Sequence, residues 1–155
     1  MRLNAAEWYF AYGSDMDEDQ IRERIGEFEV KIHAILSGYQ LVFDVINNQI
    51  NGAGFANIQR CNGSKVEGVA YLLSLNQLEK LDQFENVPKS YRRESTFVYL
   101  KNNVLLDHVY VYMGQLSQQA PDLLPTREYL NHLLKGENLL SPKYLDELRQ
   151  IPTID

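Results

Sequence analysis

The chain has 155 residues, 45% of them hydrophobic and 23% charged, with a formal net charge of -6. That composition is of the soluble globular kind, and the length suits one domain, residues 1–155, that buries a core without disulfides or metal. The acidic balance, with Arg92-Arg93 as the only adjacent basic pair, excludes the footprint of a nucleic-acid partner. The lone Cys61 cannot close an internal disulfide and fits a reducing, cytoplasmic setting. No run of 18 apolar residues exists, and Met1-Arg2-Leu3-Asn4 opens no apolar signal core, so neither a membrane span nor a secretory leader is expected.

The first predicted element is an apolar strand from Trp8 to Ala11, which stops at Gly13-Ser14-Asp15 ahead of a helix-favouring segment, Asp17 to Ile25. A strand that ends at a glycine before a helix exposes backbone N–H groups, which can hold a carboxylate or a developing oxyanion. Such a junction can equally serve only to turn the chain.

Strand signals fill the middle. Val30 to Leu36 alternates at first, Gly38 punctuates, and Tyr39 to Val45 is a second run rich in aromatic and β-branched residues. Asn47 to Gly52 is polar and turn-forming. Ala53 to Gln59 reads as a short strand and Val66 to Leu73 as a buried one. The paired glycines of Asn51-Gly52-Ala53-Gly54 lack the Lys-Ser/Thr of a nucleotide loop and predict a turn entering a closely packed strand.

Ser74 with Gln77 has the form of a capping box, and Leu75, Leu78, Leu81 and Phe84 follow at helical spacing, so a short amphipathic helix is predicted over 75–84. Tyr91 to Leu100 and Val104 to Met113 flank Lys101-Asn102-Asn103 as a hairpin. Thr126 can cap a helix carrying Tyr129, Leu130, Leu133 and Leu134, ended by Lys135-Gly136. Ser141-Pro142 opens a last helix through Tyr144, Leu145 and Leu148. This order predicts an α+β fold with a largely antiparallel, curved sheet. The ten tyrosines suit strands that line a small polar cavity, although most of them are expected in the core or at its boundary.

Histidines 33, 108 and 132 stand apart from one another and from Cys61, no metal-ligand spacing appears, and Ser14 has no evident histidine partner, so neither metal nor cofactor is expected. Glu85 follows an apolar helix and sits between Phe84 and Val87. A partly desolvated carboxylate there would have a raised pKa, useful for proton transfer. A solvated glutamate at a helix end is the plainer reading of the same local sequence.

Read together, separated segments are similar to one family. Tyr9-Phe10-Ala11-Tyr12-Gly13-Ser14-Asp15-Met16 resembles the YFAYGSN-M opening of the gamma-glutamylcyclotransferase-like (AIG2-like) family. Leu81-Asp82-Gln83-Phe84-Glu85-Asn86-Val87-Pro88-Lys89-Ser90-Tyr91-Arg92-Arg93 resembles its LDxxEGVPxxYRR stretch. Gly54-Phe55-Ala56-Asn57-Ile58 and Val66-Glu67-Gly68-Val69-Ala70-Tyr71 look like its G-x-A-x-I and V-x-G-x-x-Y/W strands, and order and spacing agree from about residue 8 to 113.

The resemblance implies a small mixed β-barrel flanked by helices, with a ligand pocket at one mouth. It implies release of 5-oxoproline from a small-molecule γ-glutamyl amide by attack of the substrate's own α-amine. By the same resemblance Glu85 is the general acid/base, Tyr12, Gly13, Ser14 and Asp15 form the substrate-binding loop, and Tyr91 reaches the pocket. Tyr112 is added from its strand position. Asp15 stands where the family usually has Asn, and either points inward or caps the following helix. Asn86 replaces the usual Gly and tolerates positive φ.

The amide substrate stays open between a γ-glutamyl-α-amino acid and a γ-glutamylamine or γ-glutamyl-lysine isopeptide. The overall pattern lies nearer the short, general branch than the glutathione-specific one. A catalytically silent small-ligand-binding module on the same scaffold also stays open, as does the choice between monomer and homodimer.

Overall fold

The structure is a computed structural model that describes residues 6–155. Residues 1–5, on which the reading of an N-terminus without an apolar leader falls, lie outside the described residues. Five strands, β1 (Ala6–Ala11), β2 (Val30–Ile46), β3 (Gly54–Ser74), β4 (Tyr91–Tyr99) and β5 (Leu105–Gly114), close on one another in the order β1-β3-β2-β4-β5. All neighbours are antiparallel except β1 and β5, which meet in parallel at Tyr9 and Tyr110. Four helices accompany them: α1 (Glu18–Ile25), α2 (Leu75–Phe84), α3 (Arg127–Leu134) and α4 (Pro142–Arg149). Among the described residues no helix is long and apolar enough to cross a membrane.

The two runs 30–36 and 39–45 belong to a single 17-residue strand, β2, and the two segments 53–59 and 66–73 to a 21-residue strand, β3. The breaks in the sequence pattern are irregularities within strands. Pairing of β2 with β3 shifts between Ser37 and Tyr39, where Gly38 takes a φ of 83° that its lack of a Cβ allows, and again between Val42 and Val45. The second shift sets Phe43 and Asp44 opposite the single residue Ala56. Gly54 packs so closely beside it that a Cβ there would stand 2.1 Å from the Phe43 carbonyl oxygen, as expected for a turn entering a packed strand.

Helix boundaries follow local chemistry. Ser74 and Gln77 form the reciprocal capping box, and α2 occupies its expected bounds. Thr126 and Ser141 cap α3 and α4 through their side chains, with Pro142 in the first turn of α4. The expected apolar stripe of α2 is narrower than its spacing implies. Leu78 and Leu81 are buried, whereas Leu75 and Phe84 are exposed.

Two apolar clusters hold the molecule together. Phe10, Ala34, Leu36, Ile58, Val66, Ala70, Val98 and Val109 come from all five strands and fill the barrel. Tyr71, Leu73, Ile21, Leu78, Leu81, Leu130, Leu133 and Leu148 join the outer face of the sheet to the four helices. Buried side chains of this size each contribute about 1.5–3 kcal/mol. Together these clusters fix where β1 and α2 end, and hence where Gly13 and Glu85 meet.

Candidate active site

At its C-terminal end β1 leaves the barrel through Tyr12-Gly13 and makes a short 3-10 turn, Ser14–Met16, before α1. The N–H groups of Met16 and Asp17 are spent on the carbonyls of Gly13 and Ser14, while those of Gly13 and Ser14 find no acceptor in the turn. A Cβ on Gly13 would stand 3.3 Å from both Ala56 Cβ and the Tyr129 hydroxyl, so the close approach of three elements favours glycine here. Glu85 terminates α2, its N–H bonded to the Leu81 carbonyl, and Asn86 continues at a φ of 54°, as expected for a residue in place of glycine.

Gly13, Ser14 and Glu85 line one small inner chamber of about 30 Å³, together with Asp15 and five tyrosines, Tyr9, Tyr12, Tyr91, Tyr112 and Tyr129. Ser14, Glu85, Tyr91 and Tyr129 also border an outer cavity of about 310 Å³. Every residue singled out in the sequence for the site therefore borders the inner chamber. The Glu85 side chain is only 17% exposed, so the plainer expectation of a solvated helix-end glutamate does not hold.

Four of the tyrosine hydroxyls donate inward to the protein. Tyr9 donates to Asp15 Oδ2 (2.8 Å), Tyr12 to the Tyr112 carbonyl (2.6 Å), Tyr91 to the Ala56 carbonyl (2.7 Å) and Tyr112 to Asp82 Oδ1 (2.7 Å). Tyr129 instead accepts the Ala56 N–H at 3.1 Å. The bulge on β2 thus leaves both peptide groups of Ala56 to tyrosines, one from β4 and one from α3. Burial pushes all five phenols above the ordinary tyrosine range, so they stay neutral.

Asp15 points inward and does not cap the helix. Asp17 is the cap, accepting the Asp19 N–H at 3.1 Å. Asp15 is 2% exposed and accepts from Tyr9, from Gln20 Nε2 (3.2 Å) and from Arg24 Nη1 (3.1 Å). The same Arg24 nitrogen lies 3.9 Å from Glu85 Oε1. Burial first, and then the negative charge of Asp15, push the Glu85 carboxyl up to about 8, against the opposing pull of Arg24.

Sequence reasoning did not find Arg24 or Tyr129. Arg24 sits nine residues beyond Asp15 on the partly exposed face of α1, and nothing in the local sequence marks its return to the turn. Tyr129 lies 73 residues from its partner Ala56 on a helix with no specific signature. Ser14 Oγ accepts from Gln20 Nε2 at 2.8 Å and has no histidine beside it; His132 pairs with Asp17 and His33 with Glu67. Among the described residues no group of three His, Cys, Asp or Glu side chains is placed to hold a metal ion.

This arrangement is a small mixed barrel whose mouth sets two carboxylates, Asp15 and Glu85, beside a Gly-Ser loop and a ring of neutral phenols. The family profile described as "Gamma-glutamyl cyclotransferase, AIG2-like" matches residues 9–131, and the chain belongs to that family. A solved structure described as a gamma-glutamyl cyclotransferase superposes with a TM-score of 0.85 at 24% identity, covering 97% of this chain and 90% of that one. A human protein described as uncharacterized, loc79017, gives the same TM-score and coverage at 25% identity. A yeast enzyme described as specific to glutathione shares the fold at a TM-score of 0.65 and 15% identity, covering 94% of each chain. No curated protein matches the sequence.

Proposed function

We propose that this protein releases 5-oxoproline from a γ-glutamyl amide, with Glu85 as general base and then general acid. The observation that carries the proposal is the placement of Glu85, half-buried and with a raised pKa, on the same chamber as the Gly13 and Ser14 N–H groups, which bond to no backbone acceptor in the turn among the described residues. A carboxyl group poised near 8 takes a proton from an α-ammonium group and returns it with little waste at neutral pH.

Glu85 removes a proton from the substrate's α-ammonium, and the freed nitrogen attacks the γ-carbonyl carbon. A C–N bond forms, and the carbonyl oxygen becomes an oxyanion facing the Gly13–Ser14 N–H groups. Collapse restores the carbonyl and breaks the bond to the departing nitrogen. Over the whole reaction two protons leave the α-nitrogen and two reach the departing amine; Glu85 carries them in turn. Attack within one molecule needs the glutamyl group folded so that amine and carbonyl are already close.

Asp15 does not oppose this reading, because its charge is met by Arg24 and its other oxygen by Tyr9. The test is 5-oxoproline release from a panel of γ-glutamyl amino acids, γ-glutamylamines and γ-glutamyl-lysine, by wild type and by Glu85→Gln. Release that vanishes in the folded variant supports the assignment. A wild type that binds these compounds and leaves them all intact would instead make the protein a binding module.

A further inference from the structure

Arg24 reaches from the last turn of α1 to a position between two carboxylates, and it does so through one nitrogen. Nη1 is 3.1 Å from Asp15 and 3.9 Å from Glu85. The guanidinium carbon also lies 5.1 Å from the centre of the Phe84 ring, which gives the otherwise unexplained exposure of that apolar residue a purpose. Among the described residues Arg24 Nε and Nη2 make no hydrogen bond, and neither is sealed in the protein. Arginine borders the outer cavity with a free edge, and that edge is the kind that takes a carboxylate through two parallel bonds.

The rest of the outer cavity carries little competing charge. Asn47, Asn48, Gln49 and Asn86 supply neutral carboxamides, while Phe55 and Phe84 supply apolar wall. Asp15 does not border this cavity, so its acidic lining is Glu85 alone. The loop that brings the carboxamides is itself fixed, because Asn47 Oδ1 accepts the N–H groups of Gln49 and Ile50. The cavity's one cation among the described residues, Arg24, is shared with buried Asp15 through Nη1, and its Nε–Nη2 edge is left for a further anion.

We propose that Arg24 receives a carboxylate carried by the departing half of the substrate, and so selects leaving groups that are α-amino acids over uncharged or cationic amines. This inference rests on the cyclotransferase reading. Its geometry agrees with that reading. In an α-amino acid the carboxyl carbon lies roughly 2.5 Å from the amine nitrogen, across two bonds. A nitrogen within reach of Glu85 therefore brings its carboxylate to the guanidinium beside Glu85. An amine whose carboxylate stands many bonds away gains no such fixed placement.

The decisive comparison is kcat/KM for γ-glutamyl-alanine against γ-glutamyl-alaninamide, which differ only in that carboxylate. Wild type should prefer the acid by about tenfold to a hundredfold, the worth of a charge-assisted contact. Arg24→Gln should bring the ratio near one, and Arg24→Lys should keep part of it. If Arg24 only held Asp15 in place, both substrates would suffer alike and the ratio would survive. A wild-type ratio near one, or a ratio unchanged in Arg24→Gln, overturns the inference.

Binding of glutaryl-alanine and glutaryl-alaninamide, which lack the attacking amine, separates this inference from the reaction on which it rests. If no γ-glutamyl peptide yields 5-oxoproline yet glutaryl-alanine binds in an Arg24-dependent way, the reaction falls and the contact stands. If the peptides react with an Arg24-independent ratio, the contact falls and the reaction stands. If the peptides are not turned over and glutaryl-alanine does not bind, both fall.

Discussion

Tyr9 donates its hydroxyl to Oδ2 of Asp15 at 2.8 Å, so strand β1 anchors one side of a carboxylate whose other oxygen faces Arg24 of α1. That anchoring keeps a negative charge close to Glu85 and makes Glu85 harder to ionise. Asp15→Asn keeps an acceptor for Tyr9 and removes the charge, leaving Arg24 to act on Glu85 alone. The acid limb of the kcat/KM profile should then move to lower pH by about one unit, and Arg24→Gln should move it the other way. Profiles of the three proteins on one substrate check both signs.

Glu85 should cost stability where it serves chemistry. Its folded pKa of about 8 exceeds the ordinary 4.5, so the folded state holds a proton that the unfolded chain has already lost. Stability attributable to this group is therefore highest below pH 4.5, falls as pH rises, and is lowest above pH 8. Glu85→Gln should abolish turnover by about 10²–10⁴-fold while raising Tm at pH 9 relative to wild type. Its advantage should fade at pH 5. Thermal melts at the two pH values give the comparison.

The peptide of Ala56 supplies a third expectation. Tyr129→Phe removes the only acceptor of a buried N–H, and should cost about 1–3 kcal/mol in denaturant unfolding. Tyr91→Phe deprives the carbonyl of its donor, which a carbonyl tolerates better, so its cost should be smaller, about 0.5–1.5 kcal/mol. Because both act on one residue, the double variant should depart from the sum.

Far from the chamber, Glu67 ties β3 to the start of α4. Its oxygens accept the Ser141 N–H (2.9 Å) and hydroxyl (2.6 Å) and face His33 Nε2 (2.9 Å). Burial alone would raise this carboxyl, but the Ser141 bonds and then His33 outweigh it and hold it below the ordinary range. Its contribution is therefore present above pH 4.5 and lost as pH falls through the lower folded value. Glu67→Gln, which sets an amide N–H₂ against donors, should destabilise the fold by about 1–3 kcal/mol at pH 7, and the cost should shrink as pH falls through the lowered folded value.

What the sequence made legible was mostly local. The caps at Ser74, Thr126 and Ser141 and the hairpin around Asn102 are decided within a few residues, and each formed as read. Glu85 and the Gly13–Ser14 loop came from two separated motifs read together. Strand continuity was not legible, because Gly38 interrupts the pattern without interrupting β2. Nor was it legible whether Asp15 caps α1 or points inward, since only its contacts with Tyr9 and Arg24 decide that. Residues paired across long separations, Ala56 with Tyr129 above all, leave no mark in either local sequence.

The Ala56–Tyr129 contact also changes how the C-terminal quarter of the chain should be regarded. That stretch reads as an appendage, two helices after a finished barrel, and a designer seeking a minimal enzyme would cut it first. Yet one wall of the inner chamber hangs from it, and a shortened chain would expose an unanswered amide where a phenol now stands. Variation in the outer turns of α3 is thus a route by which changes distant in sequence could retune the pocket, without touching the loop or the glutamate.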